Sequence, residues 1–251
     1  MKTRAVFFIL LFLLKAYGGK ASAEDSILRR IQQKIDAAFV NGLLNKNTNA
    51  LTEWEEKLAR MKENPLAQYW HIYALFYEAV CHGELGDKRA SYAKVKQGIK
   101  AMKHVKNKTS EDYALLAYLQ SFSMQFMGNM SMPAVLMNAT VKANIENALE
   151  LDKGNVRAWF MRGSHNYNMP KFLGGGKSAE EDLKKAIQTE EKNLHNPCLP
   201  TWGKDQAYGL LASFYMDNKR EAEAKKTLEE GLKKYPEDYM LKKQEQALGG
   251  N

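Results

Sequence analysis

The sequence predicts an all-α fold: a right-handed helical-repeat solenoid of about five antiparallel helix pairs, closed by a C-terminal capping helix. Three observations carry that expectation. After Glu24 no run alternates apolar and polar residues as a strand would, and apolar residues recur three or four apart instead. Counted back from Pro236, residues Gly231, Leu228, Ala224, Tyr215, Ala212, Leu211 and Tyr208 place large and small side chains in an ungapped helix-pair register. The stretch from Leu149 to Trp159 ends one pair and opens another, with Trp159 and Gly163 four residues apart on one helical face. Each such pair leaves an apolar face that only stacking buries, so the repeats imply one continuous core.

The elements follow in order. Ile27, Ile31, Ile35 and Ala38 mark a first helix, and Leu51, Trp54 and Leu58 a second. Asn64-Pro65 separates the second from a long aromatic helix that runs from Leu66 to about Gly83. Leu85-Gly86-Asp87 reads as a helix stop on glycine followed by an N-cap. Residues Asn107 to Ser110 form a polar loop, Ser131-Met132-Pro133 opens another helix, and Lys153-Gly154-Asn155 repeats the stop-then-cap pattern. Asn196-Pro197-Cys198-Leu199-Pro200 is a stiff connector, and the capping helix is expected near Glu237–Leu248. No linker divides residues 24–251, which are expected to form a single domain.

The N-terminus carries the pattern of an export signal. Lys2 and Arg4 precede an apolar run from Ala5 to Leu14, and Ala21-Ser22-Ala23 is a small-x-small cleavage site that places the mature start at Glu24. Ten apolar residues are too few to span a bilayer, which takes about 20. The expected location is therefore the periplasm, or the medium, after cleavage near Ala23. Cleavage would remove Lys2, Arg4, Lys15 and Lys20 and no acid, lowering the formal charge from +8 to +4. Lys94, Lys96, Lys100, Lys103, Lys106 and Lys108 form one basic stretch. It lacks the interleaved aromatics of a nucleic-acid site and reads as a solvated helix face rather than a patch for an acidic partner. Cys81 lies within an apolar helix and Cys198 in the connector, and their spacing does not decide whether they pair.

With this register in view, the chain resembles exported bacterial tetratricopeptide-repeat proteins, whose repeat is about 34 residues long. The resemblance covers roughly residues 65 to 245. In that family small residues let paired helices approach and large ones fill the gaps, and Trp159, Gly163, Ala179, Leu183 and Ala186 stand at those positions in the fourth pair. Gly163 and Ala179 are sixteen residues apart, four more than the family pattern, which places an insertion within Met169 to Gly176. That glycine-rich turn and the later Pro200-Thr201-Trp202-Gly203 are similar to a subset of exported repeat proteins, some of whose relatives act beside solute transporters. The resemblance thus implies protein or peptide partners, with a transporter component as one candidate.

Motifs that suggest chemistry have simpler readings. Gly174-Gly175-Gly176-Lys177-Ser178 invites a phosphate loop, but Lys171 stands where the pattern needs glycine and a helix precedes it. Its glycines suit a tight turn with positive backbone angles, and Ser178 with Glu181 forms a capping box. Met124, Met127, Met130, Met132 and Met137 could offer soft ligands to Cu(I), yet Phe122 and Phe126 interleave with them, which favours core filling. The five histidines show no ligand spacing, so no metal is expected. Cys198 and His195 are too isolated to argue a nucleophile. Three Asn-x-Ser/Thr acceptor patterns, at Asn107, Asn129 and Asn138, matter only in a eukaryotic secretory pathway.

What remains is a surface. On the inner helix of the fourth pair Arg157, Phe160, Ser164 and Tyr167 take outward positions, and on the fifth Gln206, Gly209, Ser213 and Met216 do so. An arginine between aromatics is the usual make-up of a peptide hot spot. The expected function is a non-enzymatic scaffold that binds a protein segment there, with Phe172, Leu173 and Trp202 as loop contacts and no cofactor. Two alternatives stay open. These residues could contact the protein's own first or last helix, or the chain could carry a small ligand for solute uptake.

Overall fold

The computed structural model describes residues 24–128, 131–171 and 174–249. Residues 1–23, where an export signal is expected, and Asn129, Met130, Phe172 and Leu173 lie outside the described residues. Eleven long α-helices follow one another among them: α1 (Ile31–Asn45), α2 (Asn49–Ala59), α3 (Pro65–Glu84), α4 (Lys88–His104), α5 (Ser110–Ser123), α6 (Met132–Leu151), α7 (Val156–Asn168), α8 (Ala179–Gln188), α9 (Lys204–Asp217), α10 (Glu221–Lys234) and α11 (Tyr239–Gly249). No strand occurs among the described residues.

Helices pack pairwise, α1 with α2, α3 with α4, α5 with α6, α7 with α8 and α9 with α10, and α11 closes the last pair. The pairs run antiparallel. The Ser110 hydroxyl at the start of α5 donates to the Ala148 carbonyl near the end of α6 (2.7 Å). Inner helices α1, α3, α5, α7 and α9 touch in sequence, which makes the stack a solenoid. One buried cluster runs from Leu28 to Leu241 without interruption.

Sequence explains the boundaries. Asn64 accepts from the amides of Leu66 and Ala67 with Pro65 in the first turn of α3. Asp87 caps α4 after Gly86, whose φ of 89° only glycine tolerates freely. Thr109 and Asp112 cap α5 reciprocally, and Ser131 and Asn155 cap α6 and α7. Gly174 and Gly176 take the positive φ expected of them, 90° and 82°.

Three local expectations fail for identifiable reasons. The first helix does not run through from Ile27. Residues 24–28 are helical, the chain then turns at Arg30 (φ 55°), and the Arg30 amide donates to the Pro197 carbonyl (2.8 Å). Ser178 makes no capping box, because its hydroxyl donates to Asp182 Oδ2 (2.9 Å) and its backbone (ψ 2°) is outside the extended region that capping requires. Gly154 does not stop α6; Asp152 does, accepting the Gly154 amide at 2.8 Å.

Close approach within pairs depends on glycine at few places. At Gly163 an added Cβ would lie 2.7 Å from Leu183 Cγ and 3.0 Å from the Leu183 backbone nitrogen, so α7 and α8 would have to separate. We expect Gly163→Ala to destabilise the fold by about 1–3 kcal/mol despite the better helix propensity of alanine. Urea denaturation measures this, and an unchanged or higher midpoint would contradict the close packing.

Candidate functional site

The concave side of the solenoid is occupied by the chain itself. Between α8 and α9, residues 189–203 leave the repeat and cross the inner helices. Pro and Asn residues hold this connector extended with short turns, including a 3-10 turn at Lys192–His195. Its anchor is Trp202, 0 % exposed, which stacks on Tyr118 of α5 (5.3 Å, 22°) and meets Phe160 of α7 edge-on (6.2 Å, 89°). Its indole N–H donates to the Tyr69 hydroxyl on α3 (2.8 Å).

Backbone groups of the connector are met one by one. Trp70 Nε1 donates to the Cys198 carbonyl (2.8 Å), Asn193 Nδ2 to that of Pro200 (2.8 Å), and the Thr201 amide donates to Gln32 Oε1 on α1 (2.7 Å). An extended segment inside a protein must have these partners, since an unmet buried peptide group costs about 1–3 kcal/mol.

Arg157 locks the arrangement. Its guanidinium is 2 % exposed and lies between Glu111 of α5 (Nε–Oε2 2.6 Å) and Glu191 of the connector (Nη1–Oε2 2.5 Å, Nη2–Oε1 3.2 Å). Nη1 also donates to the Trp202 carbonyl (3.3 Å). Burial works against its charge, but Glu111 and Glu191 more than offset this and hold its pKa above the ordinary value. Burial pushes the Glu111 carboxyl up although Arg157 pulls it down.

This placement corrects three expectations. Arg157 and Phe160 (3 % exposed) do not face a groove open to a partner, because the connector covers them. Trp202 is core rather than a loop contact. Ser164, 9 % exposed, is buried beside them, with its carbonyl accepting from Asn168. Contact with the protein's own chain is one of the alternatives the sequence leaves open: at Arg157 and Phe160 the connector makes it rather than a terminal helix, and at Ser213 the last helix makes it, Gln244 Nε2 donating to the Ser213 hydroxyl (3.4 Å). Cys198 and the buried Cys81 are free thiols.

The remaining candidates stay partly accessible. Tyr167 donates to Asp217 Oδ2 (2.5 Å) and packs against Phe214 (6.3 Å). Ser213 donates to the Gly209 carbonyl (3.2 Å) and faces Gln244 of α11. Gln206 holds the Gly203 amide, where the connector turns into α9. An open cleft of about 390 Å³ lies elsewhere, on the outer side of α7 and α8 around Trp159, Arg162 and Lys185. Arg162 covers the Trp159 ring there (4.1 Å) and pairs with Asp182 (2.7 Å).

Sequence reasoning missed an acidic neighbourhood where α1 meets the fifth pair. Asp36 accepts from the Tyr73 hydroxyl (3.0 Å) and Gln32 (3.4 Å), and Asp205 accepts the Gly203 amide (3.2 Å). Both carboxyls are pushed up to about 7, first by burial; repulsion from Asp205 and Asp238 adds to the shift of Asp36, and Asp238 to that of Asp205. No sequence signal marks this neighbourhood, since Asp36 and Asp205 stand at opposite ends of the chain. Among the described residues no cluster of His, Cys, Asp and Glu has a metal-binding arrangement, and no helix is long and apolar enough to cross a membrane.

No family model and no curated protein matches the chain. Among solved structures it is similar to a thermophilic TPR protein of Thermus thermophilus, with 18% identity over 87% of this chain and 98% of that one, at a TM-score of 0.54. That likeness supports the helical-repeat fold.

The acidic neighbourhood sets a pH dependence. The folded chain holds the Asp36 and Asp205 protons more tightly than the unfolded chain, whose aspartates titrate near 3.8. Their contribution to stability is therefore complete below about 4 and is lost as pH rises through about 7. Thermal melts should show Asp205→Asn gaining on the parent protein as pH rises over that window. A parallel pair of pH profiles would contradict the raised carboxyl.

Proposed function

We propose that the chain is a non-enzymatic, exported scaffold that binds a protein segment on the part of its concave side left open by the connector. The observation that carries this reading is the connector itself. Residues 196–203 lie across the inner helices as a bound peptide would, turning at Asn196–Leu199, with a tryptophan in an aromatic socket and the carbonyls of Cys198, Pro200 and Trp202 met by side-chain donors. The inner helices thus have the chemistry to hold polypeptide. The open continuation of that face presents Tyr167, Phe214, Ser213 and Asp217, two aromatics beside a carboxylate. Export rests on Lys2, Arg4, the apolar run after them and Ala21-Ser22-Ala23. Given the resemblance to exported repeat proteins, a transporter component is one class of partner.

Selection of a random peptide library on the purified protein tests the proposal. Bound peptides should lose about 2 kcal/mol, roughly 30-fold in affinity, with Tyr167→Ala, and should respond to Asp217→Arg. Asp217 is exposed, so its replacement leaves the core intact. Failure to select any peptide, or peptides indifferent to both changes, would overturn the site. Retention of a small molecule through purification would favour a ligand carrier instead.

A further inference from the structure

A simple helical-repeat stack is held together by contacts between neighbouring repeats, so an end pair can open without disturbing the rest. By its helices alone the first pair has that arrangement: beyond each other, α1 and α2 pack mainly against α3. The connector adds contacts of another kind, because residues 189–203 reach every pair in the stack. At the first, the Thr201 amide donates to Gln32 Oε1 (2.7 Å), and the Arg30 amide just before α1 donates to the Pro197 carbonyl (2.8 Å). At the second, Trp70 Nε1 holds the Cys198 carbonyl and the Tyr69 hydroxyl accepts from Trp202.

The later pairs are reached as well. At the third, Trp202 stacks on Tyr118, and Lys192 pairs with Asp152 at the end of α6 (2.8 Å). At the fourth, Glu191 takes the Arg157 guanidinium. The fifth follows through the chain itself. The Gly203 amide donates to Gln206 Oε1 on α9, and Gln206 Nε2 donates to the Tyr77 hydroxyl on α3 (3.4 Å). That last bond joins the fifth pair to the second without passing through the third or fourth.

Half-open states of this stack are unfavourable for a local reason. Freeing the first pair strips the Thr201 amide of its acceptor. Releasing the connector in turn leaves Arg157 with one carboxylate instead of two and takes Trp202 out of its aromatic socket. We propose that the connector is a strap that couples the two ends of the solenoid, so that its five pairs open as one unit rather than fraying from the first. The strap also fixes the pitch of the superhelix, since a stack flexes by changing the distance between non-adjacent pairs and the connector spans that distance. This coupling is separate from the peptide-binding reading and holds whether or not the open face takes a partner.

The test perturbs one end and reads the other. Leu58 is fully buried on α2, whose main helix neighbours are α1 and α3, so Leu58→Val weakens the first pair alone. Amide hydrogen exchange is then followed where it reports the opening equilibrium. Exchange at the centre of α2 should rise about tenfold, and at the centre of α10 by the same factor. A rise at α2 with α10 unchanged would overturn the proposal. The same comparison is made with the strap cut by Trp202→Ala. Should that chain lack helical circular dichroism, Gln32→Ala with Gln206→Ala removes two polar ties and leaves the tryptophan seated. With the strap cut, the factor at α10 should fall towards one while that at α2 remains. Equal factors there would show that stacked helices carry the coupling by themselves, and would overturn the role given to the connector.

Discussion

Burial of the Arg157 guanidinium between Glu111 and Glu191 is the constraint on which the concave side depends. A cation removed from water is tolerated only when its charge and its hydrogen bonds are met nearby. Here one carboxylate comes from the inner helix of the third pair and the other from a connector outside the repeat. The pairing therefore commits residues 189–203 to lie against α5 and α7. Once they are there, Trp202 completes an aromatic layer with Tyr118, Phe160 and Tyr73 that the helices alone would leave open. The ion group sets position, and the tryptophan, fully buried, supplies a large apolar surface.

This arrangement changes what a helical-repeat fold offers. An empty solenoid presents a continuous groove. This one presents a groove half filled by its own chain and tied at Arg30 and Gln32 to the first helix. The N-terminal and C-terminal parts of the stack are thereby linked through the concave side, beyond the contacts between successive helices. Near this link burial, with repulsion from neighbouring carboxylates added, holds the Asp36 and Asp205 carboxyls above their ordinary range.

Much of the architecture was legible in the sequence, because packing between adjacent helices is local. Tyr208, Leu211, Ala212, Tyr215, Ala224, Leu228 and Gly231 are buried where the register places them. Pro65, Gly86, Asp87 and Asn155 end and begin helices as their chemistry requires. The site was less legible. Helical periodicity assigns Arg157 and Phe160 to the inner face correctly, but whether that face meets solvent depends on a segment that begins only after the next helix, α8. A clue existed in Trp202, a large apolar residue in a proline-bounded connector too long for a simple turn. Likewise Met132 reads as core by composition, and only the projection of α6 past its partner leaves it in water.

Amide hydrogen exchange in the connector tests the account most directly. If Arg157 and Trp202 make residues 196–203 part of the core, the Thr201 and Gly203 amides, which donate to Gln32 and Gln206, will exchange only through global unfolding, with the same free energy as the centre of α9. Exchange of these two amides through local opening, while α3, α5 and α7 remain protected, would show a removable strap and contradict the central role given to the Arg157 pairing.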